Sequence, residues 1–213
     1  MTSVRLFPLS GSAFVALIVA SLLVGGETPS SGAPADEVAS FYGDDLTRQY
    51  ASTFLLAAAA PFAVLFGVEL AGAVAGERRS RWGEVVRVGA ILVAGAVLLG
   101  ASVHIAVVDG GDHGISETAL QALNALDGNT WIAMTSGVGV LLLGSAGAML
   151  STGYQRVLGW SAIVLGVALF LPFVDFLAII PSALWVVVAS VAIARGRQTD
   201  EAAVDGMAVR TGA

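Results

Sequence analysis

The sequence predicts an all-α membrane protein: a six-transmembrane-helix bundle carrying two short extracytoplasmic amphipathic helices. Three observations lead there. Of 213 residues, 56% are hydrophobic and only 12% charged, with a mean hydropathy of +0.84, a balance foreign to soluble domains. The apolar residues gather into runs that match the roughly 20 residues needed to cross a hydrocarbon core. All ten basic residues are arginines, and nine of them, Arg5, Arg78, Arg79, Arg81, Arg87, Arg156, Arg195, Arg197 and Arg210, fall in alternate gaps between those runs. Cytoplasmic loops carry the basic excess of membrane proteins, so the alternation orients every span and places both termini in the cytoplasm, at the plasma membrane. Arg48 is the exception. The intervening outer segments hold ten carboxylates and no other arginine.

Residues 1–198 read as one integral membrane domain with spans at about 6–25, 50–76, 85–108, 130–152, 157–173 and 177–194. The first run is longer than the apolar core of a secretory leader and lacks a clean small-residue cleavage site, which predicts an uncleaved anchor. Its outer loop leads to a short amphipathic helix, since Val38, Phe41, Tyr42 and Leu46 recur at helical spacing while Asp36 and Glu37 suit the positive end of the dipole. That helix is expected to lie flat on the outer surface or to cap the bundle. Span two contains Pro61, which removes a backbone donor and predicts a kink. The inner loop 77–84 carries the densest arginine cluster, with Trp82 at headgroup level, and Arg87 snorkels back toward it from span three.

The outer segment 109–129 predicts a second short helix over 116–126, with Leu120, Leu123 and Leu126 as its apolar edge. Span four follows, opened by Trp131. Residues 157–194 are too many for one span and enough for two, folded at Pro172 to Asp175, and a double crossing returns Arg195 and Arg197 to the cytoplasm. Residues 199–213 form a polar tail expected to be disordered. Small residues pervade the spans, among them the pairs Gly72/Gly76 and Gly144/Ala148, and small faces let helices approach closely in lipid.

The chemistry-bearing residues are few. The absence of cysteine rules out disulfides, thiolate metal sites and thiol nucleophiles, and no basic stripe suits nucleic acid. Glu69 lies within span two, where an acidic group must pair or protonate. It is expected either to carry a proton or cation, or to pair with Arg87 or another inner-loop arginine; Gly72 and Ala73 share its face and point it into the bundle. His104, Asp109, Asp112 and His113 collect near the outer face and invite a metal-site reading. On a continuous helix, however, His104 shares its face with Val108, and Asp109 is rotated roughly 140° away. Asp175 is expected to form the turn between spans five and six. No metal, cofactor or catalytic residue is assigned, because no phosphate loop, dinucleotide fingerprint, zinc-protease helix or serine elbow occurs in a usable context.

The order of features resembles a family of bacterial multi-pass membrane proteins known only as a domain of unknown function. The likeness rests on Ala35-Asp36-Glu37-Val38-Ala39-Ser40-Phe41-Tyr42 before span two, Ala122-Leu123-Asn124-Ala125-Leu126 before span four, and Arg156-Val157-Leu158-Gly159-Trp160 opening span five. Pro181, Leu184-Trp185 and Arg195 complete the terminal hairpin, while Glu69 stands where an aliphatic residue would be expected. The resemblance implies the architecture and no functional residue. The expected role is a structural or partner-binding membrane component, in contact with lipid and with a membrane-protein partner or further copies of itself. The alternatives are a small proton- or cation-coupled transporter using Glu69, and an outer-face metal-dependent enzyme.

Overall fold

The computed structural model describes residues 7–75, 81–153 and 155–211, and among these every regular element is helical. A 3-10 turn at Phe7–Leu9 leads into α1 (Ser10–Gly25), followed by α2 (Ala35–Asp44), α3 (Leu46–Ala75), α4 (Arg81–Asp112), α5 (Glu117–Asp127), α6 (Trp131–Thr152), α7 (Arg156–Ala168) and α8 (Asp175–Thr211). Four segments of the described residues are long and apolar enough to cross a membrane: Leu46–Val74, Arg81–Asp112, Glu117–Thr152 and Asp175–Gly196. α1 and α7, at 16 and 13 residues, are apolar but shorter than the roughly 20 that a full crossing takes. Arg5, Gly76 and loop residues 77–80, with Arg78 and Arg79, lie outside the described residues.

The centre of the bundle is a seam between α4 and α6 made by glycine. A methyl group at Gly89 would stand 2.5 Å from the backbone nitrogen of Leu141, one at Gly137 would stand 2.8 Å from that of Val93, and one at Gly144 would stand 2.9 Å from that of Val86. Residues 137, 141 and 144 of α6 thus meet 93, 89 and 86 of α4 in antiparallel order, on one face of each helix at three- and four-residue spacing. Backbone-to-backbone approach supplies dispersion contact where apolar burial gives no driving force between helices. Ala148, one turn beyond Gly144, is fully buried, as the four-residue pair anticipated. Gly72 is different: it is exposed and nothing stands within 4 Å of its place for a side chain, so it does not mark a packed face for Glu69.

α1 is fastened to α3 by hydroxyl groups. Ser21 donates to the Ser52 carbonyl and Ser52 donates to the Ser21 carbonyl, each at 2.9 Å. Both serines are buried, so the reciprocal bonds satisfy donors that lipid would leave bare. At the end of α1 the anomalous Arg48 finds its place: Nε donates to the Val24 carbonyl at 2.6 Å and Nη2 to the Gly25 carbonyl at 2.8 Å. The last carbonyls of a helix lack partners in their own chain and carry partial negative charge, which a guanidinium meets with both charge and donors. Gly26 turns the chain away with φ of 77°, leaving the guanidinium the room that any side chain there would fill. Arg48→Met is expected to lower stability by about 1 kcal/mol, through loss of charge-assisted bonds at a partly exposed site. Chemical unfolding in detergent monitored by circular dichroism measures it.

Several boundaries differ from expectation. α4 extends to Asp112 because Ala106 to Asp112 contains no proline and His113 N–H still reaches the Asp109 carbonyl, so 109–112 continue the helix instead of opening the outer loop. Within the expected spans, α3 holds Pro61 and α8 holds Pro181 inside the helix. α8 also continues to Thr211, where a disordered tail is expected beyond 198; residues 199–211 are rich in good helix formers and free of proline. α7 packs antiparallel to α6, with Gly159 against Leu150 and Gly166 against Leu143. It ends well short of Trp131, since Phe170 already covers Gly139, and a chain of turns over 169–174 makes the remaining climb.

Candidate functional site

Where α4 leaves the bundle, α2 and α5 close over it, and this junction gathers the most connected polar side chains of the described residues. The local sequence dictates who faces inward. Val38 and Tyr42, one turn apart on α2, are fully buried, and so are Leu120 and Asn124 on α5. They pack on Val107 and Val108 of α4, with His104 one turn below at 9% exposure. Pro34 precedes α2, and Ser116 caps α5 by accepting the Ala119 N–H at 3.4 Å. The edge foreseen as Leu120, Leu123 and Leu126 is therefore corrected: Leu126 is 54% exposed and Asn124 takes the inward position.

The polar groups are engaged in order. His104 Nδ1 and Asp127 Oδ2 are 2.8 Å apart, joining α4 to the last residue of α5, with side-chain exposures of 11% and 14%. His104 Nε2 is buried without a hydrogen-bond partner among the described residues. The Tyr42 ring meets the imidazole edge to face at 5.7 Å, and its hydroxyl donates to Asn124 Oδ1 at 3.4 Å. Asn124 Nδ2 donates to the Ser30 carbonyl and Gln121 Nε2 to the Ala33 carbonyl, both at 2.9 Å, so α5 pins the loop before α2. Burial, and secondarily the charge of Asp127, raises the Tyr42 phenol above its ordinary value of 10.0. A raised folded value contributes stability that is full below pH 10.0 and lost as pH rises through the folded value. Melts at stepped alkaline pH are expected to show a steeper fall in midpoint for the native chain than for Tyr42→Phe.

The residues singled out in the sequence divide. His104 and Asp109 diverge, as a continuous helix requires: His104 turns to Asp127, whereas Asp109 accepts the Tyr50 hydroxyl at 2.5 Å. His113 is exposed, with Nδ1 2.9 Å from the Asp109 carbonyl and 3.8 Å from Asp112 Oδ2. No group of three His, Asp or Glu side chains that could hold a metal occurs among the described residues. Asp175 opens α8, its Oδ1 accepting the Phe176 N–H at 2.8 Å, after a turn in which Phe173 takes φ of 67°. Glu69 is half-buried on α3. Arg87 pairs with Glu84 at 2.7 Å, one turn below it on the same helix. The sequence does not show Asp127 as the partner of His104 or Asn124 as that of Tyr42, since these pairings close over gaps of 23 and 82 residues.

No family model matches the chain, and neither a curated protein nor a solved structure does. What this junction does must be read from its own geometry. Its side chains bind one element to another, with His104 Nε2 the one ring nitrogen of the pair left without a partner among the described residues.

Proposed function

We propose that the chain is a six-span plasma-membrane protein, with both termini in the cytoplasm, α2 and α5 forming an extracytoplasmic cap, and a partner-binding role within the bilayer. The arginine alternation supports the orientation. For the fifth and sixth crossings, the support is the antiparallel lie of α7 on α6 and the local hydrogen bonds of the turns that finish its climb: Leu169 N–H to Leu165, Phe170 to Val167, Leu171 to Ala168, and Asp175 to Leu171. These bonds satisfy those N–H groups of the turn within the chain itself, the requirement that backbone near the bilayer must meet.

One observation carries the partner-binding reading. Leu177, Pro181, Leu184 and Val188 are exposed at four-, three- and four-residue spacing along α8, a continuous apolar stripe that no element of this chain covers among the described residues. Meanwhile three buried hydroxyls of the bundle return to their own helices, Ser145 to Leu141, Ser182 to Ala178 and Thr53 to Gln49. The chain has no cysteine, so Leu184→Cys or Val188→Cys gives a single crosslinking position. In native membranes each is expected to yield one discrete protein adduct, while a cysteine at the exposed Ile91 of α4 yields none. Adducts to lipid alone at all three positions reject the role.

The half-buried Glu69 favours a second reading, a proton- or cation-coupled transporter. Flux into proteoliposomes that Glu69→Gln abolishes would establish it. Absence of flux in the unaltered protein rejects it.

A further inference from the structure

A cavity of about 510 Å3 opens between α1, α6 and α8, within the roughly 300–1,000 Å3 of small-molecule sites. Ile18 and Leu22 of α1, Trp131 of α6, and Phe176 and Ala183 of α8 line it, and no residue of α7 does. Ser182 is its one hydroxyl, and that proton goes to the Ala178 carbonyl, so the Trp131 indole at the mouth is the one side-chain donor the lining offers. Such a wall recognises hydrocarbon.

The mouth adds a charge. Gly128, Trp131 and Phe176 mark one end of the groove, and carboxylates follow its lining in the chain: Asp175 precedes Phe176, Asp127 precedes Gly128, and Glu27 lies two residues past the end of α1 at Gly25, five beyond Leu22. Asp127 is engaged by His104. Asp175 accepts only a backbone N–H, and Glu27 is exposed. The single arginine at this end among the described residues, Arg48, is held by the carbonyls of Val24 and Gly25. An anionic headgroup would meet uncompensated negative charge here, whereas an ammonium group would meet its complement, with the Trp131 indole at headgroup depth.

We propose that the groove seats one acyl chain of an amine-headed, zwitterionic phospholipid of the adjoining leaflet, its ammonium group lying against Glu27 and Asp175. The proposal rests on the membrane-spanning reading above, though not on which leaflet the mouth faces.

The test uses the full chain, reconstituted in vesicles of equal phosphatidylethanolamine and phosphatidylglycerol, extracted in mild detergent and weighed intact by native mass spectrometry. One phosphatidylethanolamine per chain is expected, retained over phosphatidylglycerol by about fivefold or more, the scale of one charge at a membrane surface. Glu27→Gln with Asp175→Asn should keep the lipid and bring the ratio to parity. Ala183→Trp, which fills the groove, should lose the lipid of either kind. Parity or a phosphatidylglycerol preference in the unaltered chain overturns the proposal, as does a ratio untouched by the carboxylate changes. A bound second copy in place of lipid, or a lipid retained by folded Ala183→Trp, also overturns it. Should Ala183→Trp fail to fold, the ratios of the other two proteins decide. Alkaline extraction of native membranes separates the two readings: a chain that stays in the pellet without lipid preference loses only the groove proposal, whereas one released to the supernatant loses the membrane reading itself.

Discussion

Gly89→Ala is expected to destabilise the bundle by about 1–3 kcal/mol, the cost of overpacking a closed core. The added methyl would stand 2.5 Å from the Leu141 nitrogen and 2.6 Å from its α-carbon, and backbone cannot rotate aside as a side chain can. α4 and α6 must separate, which loosens the contacts at Gly137 and Gly144 as well. Hence Gly89→Ala combined with Gly137→Ala should cost less than the sum of the two single changes, because the first methyl already opens the space the second needs. Gly95, on the same helix with nothing within 4 Å of its missing side chain, is the control. Gly95→Ala is expected to be neutral or stabilising by up to about 1 kcal/mol, since alanine loses less backbone entropy in a helix. Unfolding in mixed micelles resolves all four proteins. Equal effects at Gly89 and Gly95 would mean that the seam is not a close approach.

Asp127→Ala carries the second large effect, about 1–3 kcal/mol. Without the carboxylate, His104 keeps neither ring nitrogen bonded within the described cluster, at a site 9% exposed. The loss should be local as well as global, since Asp127 ends α5. Amide exchange should quicken over Glu117–Asp127 and leave the α4–α6 seam slow. His104→Phe together with Asp127→Ala should recover much of the loss, because replacing both partners leaves no polar group stranded. Persistence of the full loss in the double variant would show that the pair is not the source of the effect.

How far the sequence reveals this protein depends on the range of each interaction. α3, α4 and α6 are legible as long apolar helices because their signal is local, and Ser116 is legible as the start of α5 because a cap acts over three residues. Arg48 is illegible by composition alone. It breaks the arginine pattern, and only the arrival of the α1 terminus beside α3 explains it. The His104–Asp127 pair is hidden for the same reason, and the four residues grouped by proximity in the sequence, His104, Asp109, Asp112 and His113, are turned apart by the helix that carries them. Glycine misleads in a further way. Gly72 and Gly89 look alike in sequence, yet one faces open space and the other a neighbouring backbone, a distinction set by the partner helix. Asn124 replaced Leu126 in the cap core because the Ser30 carbonyl needed a donor that no leucine supplies.

Orientation is the central claim of the proposed function, and thiol labelling of a chain without native cysteine tests it most directly. Ser40→Cys on α2 and Ser116→Cys before α5 lie at the cap, and Gln155→Cys stands before α7 at the opposite end. A membrane-impermeant maleimide applied to intact cells is predicted to modify the first two and to reach the third only after permeabilisation. Modification of Gln155→Cys in intact cells, with Ser40→Cys and Ser116→Cys protected, would contradict the account.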